Sequence, residues 1–215
     1  MSKLSEKLTA SELAGRERHT PEFSPAQFSP EQRKILLAIA REAIATGLAD
    51  KPLEHGPQFL AASSGVAWGV LREPRGAFTT LYLDGELRGC VGYPAPIRPL
   101  YEAVAETARA AAFEDTRFWP VDAEEAPKLK ISLSVLSPLF PIEAEQVEVG
   151  RHGLVISDGL RRGLLLPQVP VEHGWGRETF LQQTCRKAGL PPDAWRKNTT
   201  LEAFTAEVFG DADVL

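Results

Sequence analysis

Leu87-Arg88-Gly89-Cys90-Val91-Gly92 sets a guanidinium two residues ahead of a thiol, with Gly89 and Gly92 leaving space around it. Cysteine reacts as the thiolate, and a nearby cation or a helix N-terminus lowers its pKa. Both are expected here. Arg88 would share a strand face with Cys90, and the following loop leads to a helix starting near Ile97. Cys90 is therefore a candidate nucleophile or covalent carrier, against the plainer reading of a small buried hydrophobe. Arg88 suits an anion or carboxylate clamp. Equally, it could form a structural ion pair with Asp115 or another loop carboxylate, since a charge inside a strand is not left unpaired.

Asp115 and Arg117 lie in the aromatic run Asp115-Thr116-Arg117-Phe118-Trp119-Pro120. Asp115 could assist proton transfer and Arg117 could bind substrate, although an Asp capping backbone amides is the commoner arrangement. His152, before a glycine at a strand start, could act as a base if folding brought it to Cys90. Gln168, with Glu172 and Trp175, forms a further polar and aromatic group, or else simply satisfies strand-end amides. Cys185 recurs at helical spacing with Phe180 and Leu181 and reads as core. No H-x-x-x-H or C-x-x-C spacing, phosphate-binding glycine loop or G-x-S-x-G elbow occurs. Neither a metal nor a cofactor is expected.

These residues need elements to position them. Ser29-Pro30-Glu31-Gln32 is a helix start with a capping box, and Ile35, Leu36, Ile39, Ala43, Ile44 and Leu48 continue at helical spacing to about Gly47. Segment 51–75 is rich in Pro and Gly and aperiodic, with Trp68 and Leu71 folding back on the core. Residues 78–83 and 86–91 flank Asp84-Gly85, a favoured hairpin turn. Pairing about that turn sets Leu81 opposite Arg88 and Thr79 opposite Cys90. Thr79, Leu81, Arg88 and Cys90 then share one face, which makes Thr79 a candidate binding residue. Phe78, Thr80, Tyr82, Leu87 and Val91 would form the core face.

A small-residue helix follows through Leu100, Tyr101, Val104, Ala108 and Ala111, then a strand alternating Leu129, Ile131, Leu133 and Val135. A second hairpin about Asp158-Gly159, a helix over 177–188 and a final strand over 201–209 complete the chain. Two hairpins without a βαβ rhythm predict an α+β fold of mainly antiparallel sheet flanked by helices. Residues 1–27 read as a disordered tail, 28–211 as one domain and 212–215 as a short C-terminal tail.

The chain has 215 residues, formal net charge −5 and pI about 5.5. Long-range attraction to nucleic acid or to an anionic membrane is not expected, because phosphate binding needs clustered Lys and Arg. Two cysteines cannot build a disulfide framework. With no apolar leader and no run approaching ~18 apolar residues, a cytoplasmic protein is expected.

Taken together, the ordered blocks resemble the AMMECR domain family, also called AmmeMemoRadiSam system protein A in prokaryotes. The match runs through Gly76-Ala77-Phe78-Thr79-Thr80-Leu81, Leu87-Arg88-Gly89-Cys90-Val91-Gly92 and Asp115-Thr116-Arg117-Phe118. It continues through Ser132-Leu133-Ser134-Val135-Leu136 and Gly163-Leu164-Leu165-Leu166-Pro167-Gln168-Val169. Trp175, Phe180-Leu181, Cys185-Arg186-Lys187-Ala188-Gly189-Leu190 and Trp195 close it. Val91 stands where isoleucine is usual. The resemblance implies two subdomains with a cleft near Arg88-Gly89-Cys90. It also implies a shared pathway with a Memo-like protein and a radical SAM enzyme, in which this chain is a binding partner or a target of modification. The alternative is a cysteine-dependent enzyme acting on a small anionic or acyl substrate.

Overall fold

The computed structural model describes residues 27–52, 68–197 and 199–213. The expected tail before Gln27, the middle of segment 51–75 and the last two residues lie outside them. Four helices are described: α1 (Pro30–Leu48), α2 (Leu100–Phe113), α3 (Gln168–Glu172) and α4 (Arg177–Lys187). The strands are β1 (Ala77–Leu83), β2 (Glu86–Tyr93), β3 (Lys130–Leu136), β4 (Phe140–Pro141), β5 (Gly153–Asp158), β6 (Arg161–Leu165), β7 (Thr200–Phe204) and β8 (Ala206–Gly210). They form two four-stranded sheets, ordered β2-β1-β3-β8 and β4-β7-β5-β6. Every pairing is antiparallel. The α+β expectation holds.

Local chemistry explains where α1 begins. The Ser29 hydroxyl accepts the Gln32 N–H at 3.3 Å, and Gln32 Oε1 accepts the Ser29 N–H at 2.8 Å. This capping box, followed by Pro30, fixes the helix start. Leu36, Leu37, Ile39, Ala40, Ala43 and Ile44 bury one stripe of α1. In α2 the buried stripe is made largely of alanine, from Ala103 to Ala112, so the helix lies close on β1 and β2. Ala77, Leu81, Ile131, Leu133, Val135 and Phe209 supply the sheet side of this first core, and Leu71 and Trp68 pack into it as expected.

The second sheet carries α4 on β5 and β6, with Leu154, Phe180, Leu181 and Ala203 in its core. A separate cluster of Leu136, Val155 and Phe204, with Phe78, Leu139, Leu164 and Leu166 packed against it, joins the two sheets.

Three expectations are corrected. The first hairpin turns at Asp84-Gly85, both at positive φ, and Leu83 pairs with Glu86, but the register then slips. Leu81 pairs with Gly89, Thr80 with Cys90 and Thr79 with Val91, with Arg88 the extra residue of a bulge. Unbroken pairing would set Arg88 opposite Leu81, which is fully buried against the helices. The bulge puts Gly89 there instead, where even a methyl group would strike the Ala111 carbonyl of α2. The face assignment therefore reverses. Ala77, Thr79 and Leu81 face the helices, while Phe78, Thr80 and Tyr82 face the other way.

The second hairpin turns one residue later than expected, because Asp158 pairs with Arg161 and leaves Gly159-Leu160 as the turn. Finally, the last strand is two strands, β7 and β8, in different sheets. They part at Thr205, whose N–H donates to the Ser137 hydroxyl at 3.0 Å and whose carbonyl accepts the Ser137 N–H at 2.8 Å. That side-chain bond replaces a ladder bond at the crossing.

Candidate functional site

Among the described residues β2 is an edge strand, so one side of its backbone lacks a strand partner there. At Cys90 two side chains take the place of a strand. Asp115 Oδ2 accepts the Cys90 N–H at 2.8 Å, and Arg117 Nη2 donates to the Cys90 carbonyl at 3.3 Å. Asp115 also accepts from Arg117 through its N–H at 3.2 Å, Nε at 2.9 Å and Nη2 at 2.7 Å. The Asp115 side chain is only 6% exposed. Arg117's side chain, followed by the backbone N–H groups of Cys90 and Arg117, holds this carboxyl well below the usual range against the opposing effect of burial. Asp115 anchors the loop after α2 as a carboxylate at neutral pH.

Arg88 makes a bidentate ion pair. Its Nε donates to Glu125 Oε1 at 3.1 Å and its Nη2 to Glu125 Oε2 at 2.7 Å, with the Pro120 carbonyl 3.5 Å from Nη2. Hydrogen bonding from Arg88 lowers the Glu125 pKa. Asp122 Oδ1 positions Glu125 by accepting the N–H groups of Glu124 and Glu125 at 2.8 and 2.9 Å. Sequence reasoning anticipated a structural ion pair but did not single out Glu125. The readable signal was Asp122 three residues ahead of it, a turn-capping spacing.

The Cys90 thiol is half-buried and lies 3.3 Å from the Thr80 hydroxyl. It stands on the sheet face turned away from the described helices, whose Phe78 end meets the second sheet. The register carries a row of small residues across that face, from Cys90 to Thr80, Ser132 and Gly210. A neighbouring row runs Gly92, Phe78, Ser134 and Val208, with Gly92 leaving room for the Phe78 ring. Beyond Thr80, Tyr82 pairs with Leu87, and both are exposed. Thr80 and Ser132 escaped the sequence reading because the bulge that selects them is a tertiary effect.

Thr79 lies on the opposite face. It is fully buried and shares a 2.8 Å hydrogen bond with Thr107 of α2, so it belongs to the first core and not beside Cys90. His152 is also buried, at the start of β5. Its Nδ1 accepts the Glu148 N–H at 3.1 Å, its ring meets Phe140 edge-on at 5.9 Å, and burial pushes its pKa down. These contacts place it with the second sheet and not with Cys90. Gln168 is exposed at the start of α3, near a His173–Trp175 stack at 4.6 Å. Cys185 is fully buried, and burial raises its thiol pKa. Gly89 lies against the Ala111 carbonyl and Gly92 against the Phe78 ring, and neither leaves room for a Cβ.

The structure thus brings Cys90, Asp115 and Arg117 together, with Arg88 two residues away along β2. It leaves Thr79 and His152 in other surroundings. Among the described residues no group of three or more His, Cys, Asp or Glu could hold a metal ion. No helix among them is long and apolar enough to cross a membrane.

Comparison with known proteins agrees with this architecture. The AMMECR1 family model matches residues 37–209. Protein MK0488 of Methanopyrus kandleri is 43% identical over 195 residues, covering 85% of this chain and 90% of that protein. A protein of Methanothermobacter thermautotrophicus is 42% identical over 192 residues, covering 86% and 96%. The crystal structure of uncharacterized protein PH0010 from Pyrococcus horikoshii superposes with a TM-score of 0.61 at 41% identity, covering 81% of this chain and 89% of that one. None of these names carries an activity. With the family model spanning both sheets and relatives above 40% identity along most of its length, the chain belongs to the AMMECR1 family.

Proposed function

We propose that this chain is an accessory protein that offers the Cys90-bearing face of its first sheet to a protein partner. A Memo-like protein and a radical SAM enzyme are the partners that the family resemblance implies. The observation that carries this reading is the setting of the thiol. It is half-buried beside the Thr80 hydroxyl, on a sheet face whose Phe78 end packs on the second sheet, while the nearby carboxylates, Asp115 and Glu125, are already committed to arginines. A carboxylate held that firmly in its ionised form is a poor proton acceptor. The expected base, His152, is engaged elsewhere.

The surroundings favour docking. Tyr82 and Leu87 are exposed side by side on this face. Trp119, 88% exposed, projects from the loop that Asp115 and Arg88 pin to β2. The arginines nearest Cys90 are neutralised by Glu125 and Asp115, and exposed Lys130 stands beside Tyr82, so an aromatic and apolar patch with a polar rim results, as at interfaces. The test is affinity capture of the full chain co-produced with the two proteins, with its intact mass recorded. Capture of either partner is expected, and Tyr82→Arg should abolish it while leaving the fold intact. A mass gain confined to Cys90 would identify the thiol as the contact point. Absence of capture, combined with turnover of a small acyl or anionic substrate that Cys90→Ser abolishes, would replace this reading with the cysteine-dependent enzyme.

A further inference from the structure

Arg75 is a buried cation whose hydrogen-bonding capacity is largely unspent. The residue is 7% exposed, yet its Nε and Nη1 have no hydrogen-bond partner among the described residues. Only Nη2 is engaged, by Glu73 Oε2 at 2.7 Å. Buried polar atoms in native proteins are nearly always satisfied, and a buried guanidinium with idle donors is costly. Arg88 shows a fuller arrangement in the same molecule, with Nη1 alone left idle. There one carboxylate fills both Nε and Nη2, the two donors on one edge of the guanidinium. At Arg75 the same edge is half filled, because Glu73 is two residues away and reaches Nη2 alone. The Glu73 side chain is 53% exposed.

The backbone of Arg75 lies beside a second source of positive potential. The Arg75 N–H donates to the Arg98 carbonyl at 3.2 Å, and the Glu73 carbonyl accepts the N–H of Leu100, first residue of α2, at 3.0 Å. Pro74 bridges to Pro99. Arg75 is thus held against the first turn of α2, a helix of 14 residues whose capping position is Pro99 and which no side chain caps. Uncapped first-turn amides and the helix dipole favour an anion. The other charged groups here are Arg72, which is exposed, Arg98, which pairs with Glu106 at 2.9 Å, and Glu102, which accepts the Tyr101 hydroxyl at 2.9 Å. Arg98 and Glu106 neutralise each other, so Arg75 keeps its demand for an acceptor.

We propose that Arg75 and the first turn of α2 form a binding site for the oxyanion of a small ligand, a carboxylate or a phosphoryl group. Glu73 is the internal carboxylate that yields Nη2 when the ligand takes the Nε–Nη2 edge. The site involves neither Cys90 nor its sheet face, so its failure would leave the docking reading untouched.

The test titrates the full chain, in a buffer free of competing anions, with inorganic phosphate and separately with acetate. Saturable binding of at least one is expected. Preference for phosphate assigns a phosphoryl group, and preference for acetate assigns a carboxylate. Arg75→Lys, which keeps the charge but loses the two-donor edge, should weaken binding by about tenfold. Glu73→Gln should tighten it by more than Glu86→Gln, a control for the same charge change at the exposed β1–β2 turn. Should Arg75→Lys fail to fold, the Glu73→Gln comparison decides alone. No saturable binding of either anion, or equal effects of Glu73→Gln and Glu86→Gln, would overturn the proposal.

Discussion

Asp115 decides how the residues around Cys90 are read. Its carboxylate takes the Cys90 N–H and three bonds from Arg117. Asp115→Ala strands the Cys90 N–H and should cost about 1–3 kcal/mol in a denaturant titration. The pH dependence has a definite sign. The folded-state pKa of Asp115 lies below its unfolded value of about 4. Its stabilising contribution is therefore complete above that value and is lost as pH falls through the acid range. Asp115→Asn should flatten the loss of stability between about pH 5 and pH 2. An unchanged acid slope in the variant would remove Asp115 from this role. Asp115, Arg117 and Cys90 were each legible in the sequence as candidates, but that the first two bond the backbone of the third was not. Nor was Glu125, because a salt-bridge partner 37 residues away depends on how the loop after α2 returns.

At the scale of elements, the bulge in β2 is the controlling feature. Asp84-Gly85 announces the hairpin in sequence, and Leu83 opposite Glu86 follows from a two-residue turn. Alternation alone then carries Arg88 into the helix-facing layer. Only the approach of α2, with the Ala111 carbonyl over Gly89, shows why the strand slips. Gly89→Ala should push α2 away or undo the bulge, and a loss of about 1–3 kcal/mol is expected from overpacking. Urea unfolding measures it. A variant as stable as the parent would mean that the helix does not hold the register. The same limit applies to residues 201–209, where a continuous strand-like stretch conceals a change of sheet at Thr205. Periodicity reports which residues face a core but not which core.

At the scale of the whole molecule, Phe204 stands at the junction of the two sheets with Leu136, Val155 and Phe78. Phe204→Ala should cost about 3–5 kcal/mol and, by weakening the contact between sheets, broaden the unfolding transition. A sharp transition at the parent midpoint would show that the sheets do not depend on this cluster. Trp119 has the opposite profile. Its exposure predicts a stability change within about 0.5 kcal/mol for Trp119→Ala, with partner capture reduced. The mainly antiparallel α+β architecture was readable from hairpins and helix spacing, whereas the face with Cys90, Thr80 and Ser132 depended on the register. The most direct measurement is capture of the co-produced Memo-like and radical SAM proteins by the parent chain and by Tyr82→Arg under identical conditions. Capture by the parent and none by folded Tyr82→Arg is the expected result. Equal capture by both would contradict docking through the Cys90 face.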